Sequence, residues 1–262
     1  MGILVKNGIK YFVFENLSRA GVRHAFSTRV GGVSSGVYAS LNLGLKSGDD
    51  MAALRENYRL ICDALGFDVD GIVLSSQTHS TNICAFGAPG GLKPAREDVD
   101  GLMTNVPGLV LATYYADCVP LFFYDPRARV VANSHAGWRG CAQNMAGKTI
   151  FAMQKQYNCR PADILAGIGP SISVKNFEVG KEVADIFKKE LPFSDKFIYN
   201  SISVNKYYVD LWEICRESLL EAGVKPENIE IAGLCTYERA DLFYSHRRDG
   251  IPRGNMAGMI SL

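Results

Sequence analysis

Between residues 72 and 134 the chain makes five short strand-like runs, at 72–76, 82–86, 109–115, 119–124 and 129–134, with no helical pattern among them. Sheet must therefore form the core of whatever this sequence folds into. Further strand-like segments lie at 9–14, 24–28, 164–168, 229–234 and 242–245, and an apolar tail follows at 256–262. Helical patterns flank the sheet-rich middle. Leu54, Tyr58, Ile61 and Leu65 form a 3.6-period stripe after Asp49 and Asp50, ended by Gly66. Met145, Ile150, Met153 and Tyr157 form a second stripe, residues 181–189 a third, and Asp210 with Glu213 a capping-box pattern opening a helix over 211–222. Gly-rich 30–44 and Pro/Gly-bearing 89–100 read as loops, the latter as an exposed excursion. With no repeat or linker, the pattern predicts one α/β (α+β) domain over residues 1–262, its sheets covered by helices on their outer faces.

Composition narrows the function classes. Hydrophobic residues make up 47% against 21% charged, enough for a sizeable core. Lys and Arg number 28 against 27 Asp and Glu, which leaves no broad basic face for nucleic acid. No apolar run reaches the roughly 18 residues of a membrane span, and the N-terminus lacks a secretion signal pattern. A cytoplasmic protein with neither nucleic-acid nor membrane partners is expected.

Histidine is scarce: His24, His79, His135 and His246 are the only four. The seven cysteines form no C-x-x-C pair, which excludes a zinc ribbon or a thioredoxin-type motif. Three potential ligands nevertheless fall at the ends of successive strand-like runs: His79 after 72–76, Cys118 after 109–115, and His135 after 129–134. Two imidazoles and a thiolate with an open fourth position match a catalytic zinc site, because closed structural sites use four protein ligands. The same spacing equally suits hydrogen-bonded histidines and an inert thiol.

The flanking residues add polar and flat surfaces. His135-Ala-Gly-Trp-Arg-Gly140 sets Trp138 and Arg139 between glycines just before a helix, where Arg139 could hold phosphate and Trp138 a base. Arg29, in Ser27-Thr-Arg-Val-Gly-Gly32, and the adjacent Arg247 and Arg248 are further phosphate candidates, though paired arginines also suit a solvated edge. Tyr114 and Phe243 are further candidates to hold a base. Asp117, beside Cys118, is either a proton shuttle or a partner that orients a ligand histidine. His24 and His246 read as structural.

GVRHAFSTRVGGVSSGVYASLNLG, SSQTHS, ADCVPLFFYDP, NSHAGWRG, IGPSIS, YYVDLWE and CTYERADLFYSHRRDG follow in this order from residue 21 to 250. This set resembles the YfiH-type family, formerly called multicopper polyphenol oxidases or laccase-domain proteins and now described as multifunctional purine nucleoside phosphorylases. The resemblance implies a four-layer α/β/β/α sandwich of mixed sheets and a zinc ion on His79, Cys118 and His135. It implies phosphorolysis of adenosine, inosine and S-methyl-5′-thioadenosine, with adenosine deaminase activity, on purine nucleosides and phosphate, as monomer or homodimer. Ser171 stands where the family often has Cys, which argues against essential chemistry there.

The two family names can be weighed by counting. A multicopper laccase needs about ten histidines, and four are present, so that chemistry is excluded. A mononuclear copper acting on polyphenols fits the same three ligands. The rivals are a metal-free Cys–His hydrolase or transferase acting on cell-wall precursors, with Cys118 as nucleophile, and a non-catalytic binding module.

Overall fold

A computed structural model describes residues 2–262. Its larger sheet runs in the order Gly2–Lys6, Ile9–Val13, Arg23–Ser27, Met256–Ser261, Val110–Tyr115, Ile72–Ser76, Pro94–Glu97. Pairing is antiparallel until Ile72–Ser76, which lies parallel to both its neighbours. The second sheet runs Ile229–Ile231, Leu165–Ile168, Val119–Asp125, Val130–Ala136, Gly101–Thr104, Ile83–Ala85, and is likewise mixed. A small third sheet pairs Glu178–Gly180, Lys206–Val209 and Ile198–Asn200.

The two main sheets face each other across an apolar layer, and the period-2 geometry of a strand explains the continuous apolar run at 119–124. Phe122 and Tyr124 enter the inter-sheet layer with Phe12, Phe14, Phe26 and Tyr115, whereas Val119, Leu121 and Phe123 point the other way. That outer face is covered by helices Met145–Tyr157, Lys181–Glu190 and Leu211–Glu221. Helix Met51–Leu65 covers the outer face of the larger sheet through Tyr58, Ile61 and Cys62. This is the α/β/β/α sandwich expected. Among the described residues no helix is long and apolar enough to cross a membrane.

Helix ends follow their local chemistry. Asp50 caps Met51–Leu65 by accepting from Ala52 and Ala53 N–H, and Gly66 closes it in the left-handed conformation at φ 69°. Asp210 caps Leu211–Glu221 by accepting from Trp212 and Glu213 N–H.

Three expectations are corrected. Segment 89–100 is not merely an exposed excursion: Pro94–Glu97 is a strand, and Asp100 is fully buried. Residues 242–245 are buried but form no strand; Leu242 C=O receives Arg29 N–H instead of a ladder partner. The apolar tail is an inner strand of the larger sheet, buried on both faces and therefore without polar alternation.

Candidate metal centre and its cavities

Asp100 organises the site. Its carboxylate accepts the main-chain N–H of Thr78 (3.0 Å), His79 (3.1 Å) and Ser80 (2.9 Å), as well as the Ser80 hydroxyl (2.9 Å). Three successive N–H groups can converge on one anion because His79 is left-handed, at φ 63°. The same carboxylate bonds His135 Nδ1 at 2.7 Å, while Asp100 C=O receives His135 N–H at 2.8 Å. One buried acid therefore positions both histidines and leaves His135 Nε2 free to bind a metal. Burial pushes the Asp100 carboxyl up, but contact with His135 and the Thr78 and Ser80 hydrogen bonds prevail and hold it below its ordinary value.

The strand that delivers His79 ends in an unusual way. Gln77 Oε1 accepts Tyr114 N–H at 2.7 Å and Gln77 Nε2 donates to Tyr114 C=O at 3.0 Å. A side-chain amide thus pairs with the Tyr114 main chain where the strand's own main chain turns away towards His79.

His79, Cys118 and His135 each offer a ligand atom within 4.8 Å of the other two, and they are the one such cluster among the described residues. Cys118 Sγ lies 3.7 Å from His79 Nε2. Tetrahedral zinc with ordinary Zn–S and Zn–N lengths sets those atoms about 3.6 Å apart, so the residues fit a zinc-sized ion. Burial opposes a Cys118 thiolate, yet the His135 charge and hydrogen bonds to both histidines outweigh it and bring the thiol to about 6. Burial likewise lowers His135, but the Cys118 thiolate and Asp100 raise it to about 9.

The thiol pattern gives a prediction for chelator-treated protein. At pH 7 iodoacetamide should label Cys118 at least ten times faster than Cys62 or Cys159, whose buried thiols are pushed up to about 12. The Cys118 rate should fall as pH drops through about 6, where its thiolate is lost. Mass mapping of labelled peptides reads the outcome; equal rates at the three thiols would refute the ion pair.

Gly137 makes room for the trio: a Cβ there would sit 2.5 Å from His79 Cδ2 and 3.2 Å from Cys118 Sγ. Helix Trp138–Ala142 starts immediately after it, with the Arg139 guanidinium 4.3 Å from the Trp138 ring.

Two cavities meet at the trio. One, of about 610 Å³, is lined by Asp117, Trp138, Arg139, Phe177, His246 and Arg247. The other, of about 450 Å³, is lined by Lys46, Met51, Leu92, Tyr114, His135 and Asn255. His79, Ala116, Cys118 and Arg253 line both.

The remaining sequence candidates divide. Trp138, Arg139 and Arg247 line the larger cavity and Tyr114 the smaller. Asp117 borders one, but its carboxylate is taken by Thr236 Oγ1 (2.6 Å), Ser245 Oγ (2.9 Å) and Arg247 N–H (2.7 Å); it orients neither histidine. Arg29 borders neither cavity: it donates to Ala39 C=O and lies 4.5 Å from the Tyr244 ring. Arg248 also lies outside both, bonded to the carbonyls of Thr236, Tyr237 and Phe243 and to Asp249. Phe243 is sealed in the inter-sheet core. Of the two histidines read as structural, His24 is so, buried with Nε2 accepting Phe14 N–H, whereas His246 lines a cavity. Ser171 is buried and accepts Trp212 Nε1–H at 2.6 Å, a packing role. Asp100 and Arg253 were missed.

Comparison with known proteins shows what the chain as a whole is similar to. A family described as multi-copper polyphenol oxidoreductase laccase matches residues 23–262. A Bacteroides thetaiotaomicron protein named purine nucleoside phosphorylase is 36% identical over 256 residues, covering 95% of each chain. Bacillus subtilis purine nucleoside phosphorylase YlmD is 36% identical over 94% of this chain and 91% of its own. The crystal structure of YlmD from Geobacillus stearothermophilus superposes with a TM-score of 0.92 at 34% identity, over 98% of this chain and 97% of that one.

Proposed function

Because the chain belongs to the multi-copper polyphenol oxidoreductase laccase family, which includes relatives named purine nucleoside phosphorylases, we propose that it splits purine nucleosides with phosphate at a zinc-bearing site in the cytoplasm. Adenosine, inosine and S-methyl-5′-thioadenosine are the proposed substrates. The observation that carries this reading is the meeting of two cavities at one three-ligand cluster, which accommodates two reactants side by side.

His79, Cys118 and His135 would hold the metal, with Asp100 fixing the His135 imidazole and the His79 main chain. When bound, zinc supplies positive charge that polarises a substrate oxygen. Met51, Leu92 and Tyr114 give the 450 Å³ cavity the apolar walls a nucleoside needs. In the reaction a phosphate oxygen bonds to ribose C1′ as the C1′–N9 bond breaks and its electron pair leaves with the purine. The proton carried by hydrogen phosphate ends on the base. Holding both reactants in register removes the entropy cost of their encounter.

The test incubates inosine and adenosine with and without phosphate and assays free base and ribose 1-phosphate. Base release that requires phosphate is expected, together with about one zinc per chain; Cys118→Ala should lose both. No phosphate-dependent base release overturns the reading. Inosine formed from adenosine without phosphate reports the deaminase activity. Copper in place of zinc on metal analysis, with polyphenol oxidation, would favour the older family name. A second reading, the metal-free Cys–His hydrolase or transferase, is favoured by the low Cys118 pKa of about 6 beside a protonated His135. It predicts an active protein without metal.

A further inference from the structure

Arg253 is the more buried of two cavity-lining arginines, with Arg139, that lack a side-chain hydrogen bond. Its side chain makes no hydrogen bond or ion pair with any described residue, and its Nε is buried without a partner. A guanidinium carries five donors, and leaving a buried one unmatched costs free energy that proteins avoid except where a ligand completes it. The contrast with its neighbours is sharp. Arg248 donates to three carbonyls and a carboxylate, and Arg247 donates to the carbonyls of Asn176 and Glu178.

Arg253 also stands where a bridging ligand would have to be, since it lines both cavities along with His79 and Cys118. The nearby acids do not neutralise it. The Asp117 carboxylate is occupied by Thr236, Ser245 and Arg247, and Asp249 by Arg248 and Ser245 N–H. Arg139 lines the larger cavity with it, and its side chain has only the Trp138 ring as a partner. Burial pulls the Arg253 pKa down, while the negative charges of Asp117, Cys118 and Asp249 oppose that shift. The guanidinium is thus a half-buried cation at the junction.

We propose that Arg253 is the phosphate-positioning residue: with Arg139 it binds inorganic phosphate in the larger cavity, next to the trio, with the nucleoside in the smaller one. The inference rests on the phosphorolysis reading for its consequence in turnover, but phosphate binding can be measured without turnover. Planar, bidentate donation suits two phosphate oxygens, which a lysine matches only as a point charge.

The experiment compares the metal-loaded wild type with Arg253→Gln and Arg253→Lys. Inorganic phosphate is titrated calorimetrically at constant ionic strength, and the KM values for phosphate and inosine are measured separately. Arg253→Gln should weaken phosphate binding and raise the phosphate KM at least tenfold, with the inosine KM changed less than threefold. Arg253→Lys should recover part of the loss, and it carries the test if the glutamine variant does not fold. An unchanged phosphate affinity in both variants overturns the inference and leaves the phosphorolysis reading standing. So does a raised inosine KM with unchanged phosphate KM, which would give Arg253 to the nucleoside. A wild type that binds phosphate through Arg253 yet releases no base would support the anion site and overturn the phosphorolysis reading instead.

Discussion

Gly137→Ala should empty the metal site without removing a ligand. The backbone at Gly137, φ −64° and ψ 170°, suits alanine, so no conformational penalty enters. The effect is contact alone: the new methyl would lie 2.5 Å from His79 Cδ2 and 3.2 Å from Cys118 Sγ. Asp100 holds the His79 main chain, so relief must come from the exposed imidazole or the Cys118 thiol swinging away, and either movement spoils the ligand geometry of the trio. The expected result is a fall in zinc affinity of about 100-fold, the upper end for disturbed ligand supports, and overpacking of about 1–3 kcal/mol. Gly140→Ala is the internal control, since its methyl meets nothing nearer than 3.7 Å. Competition against a chelator with a known zinc constant reads both variants. Equal affinity in the two would show that the trio tolerates displacement.

Asp100→Asn should strike the same site from beneath. The amide cannot accept from Thr78, His79, Ser80 and His135 together, and its NH2 would face donors. Zinc affinity should fall 10- to 100-fold, in the range of about 10–100 seen when a histidine loses its orienting carboxylate. Stability should fall by about 3 kcal/mol, as for breaking a buried charged pair. The pH dependence has a definite sign. The folded carboxyl titrates below its unfolded value of about 3.9, so its stabilisation is complete above that pH and is lost as pH falls through the lower, folded value. Asp100→Asn should abolish that acid limb of the stability profile, measured by denaturant unfolding between pH 2 and 6. An unaltered limb would assign it to other carboxylates.

The residues around this site differ in how far the sequence discloses them. His79, Cys118 and His135 were legible because each stands where an apolar run stops, and a strand end carries a side chain to a fixed place. Asp100 was not, because an acid after a Pro/Gly-bearing stretch looks like any solvated turn; only the curl of 78–80 around it reveals its role. Arginines were the hardest. Arg29 and Arg248 sit in polar, Gly-bearing motifs that invite an anion, yet their donors meet backbone carbonyls that no local pattern places there. Arg253, within Ile-Pro-Arg-Gly, has no periodic context and becomes visible only through the partners it lacks. The strands were readable as short apolar runs between turn residues and the four-layer stacking from the family resemblance, whereas Met256–Ser261, apolar throughout and buried on both faces, read only as a tail.

Gln77 carries one last consequence. A primary amide presents one donor and one acceptor to Tyr114, the same pair a peptide unit would offer. The side-chain amide thus ties the end of the strand to Tyr114 beyond the last main-chain pair, Val73 with Leu111, like a handrail that outlasts the stair. Stiffness and direction are separated there. The sheet keeps its order up to the cavity wall, and the chain is free to veer and present an imidazole at an angle no strand residue could reach. Precision at His79 is thus inherited from the sheet, through a residue that never touches the metal.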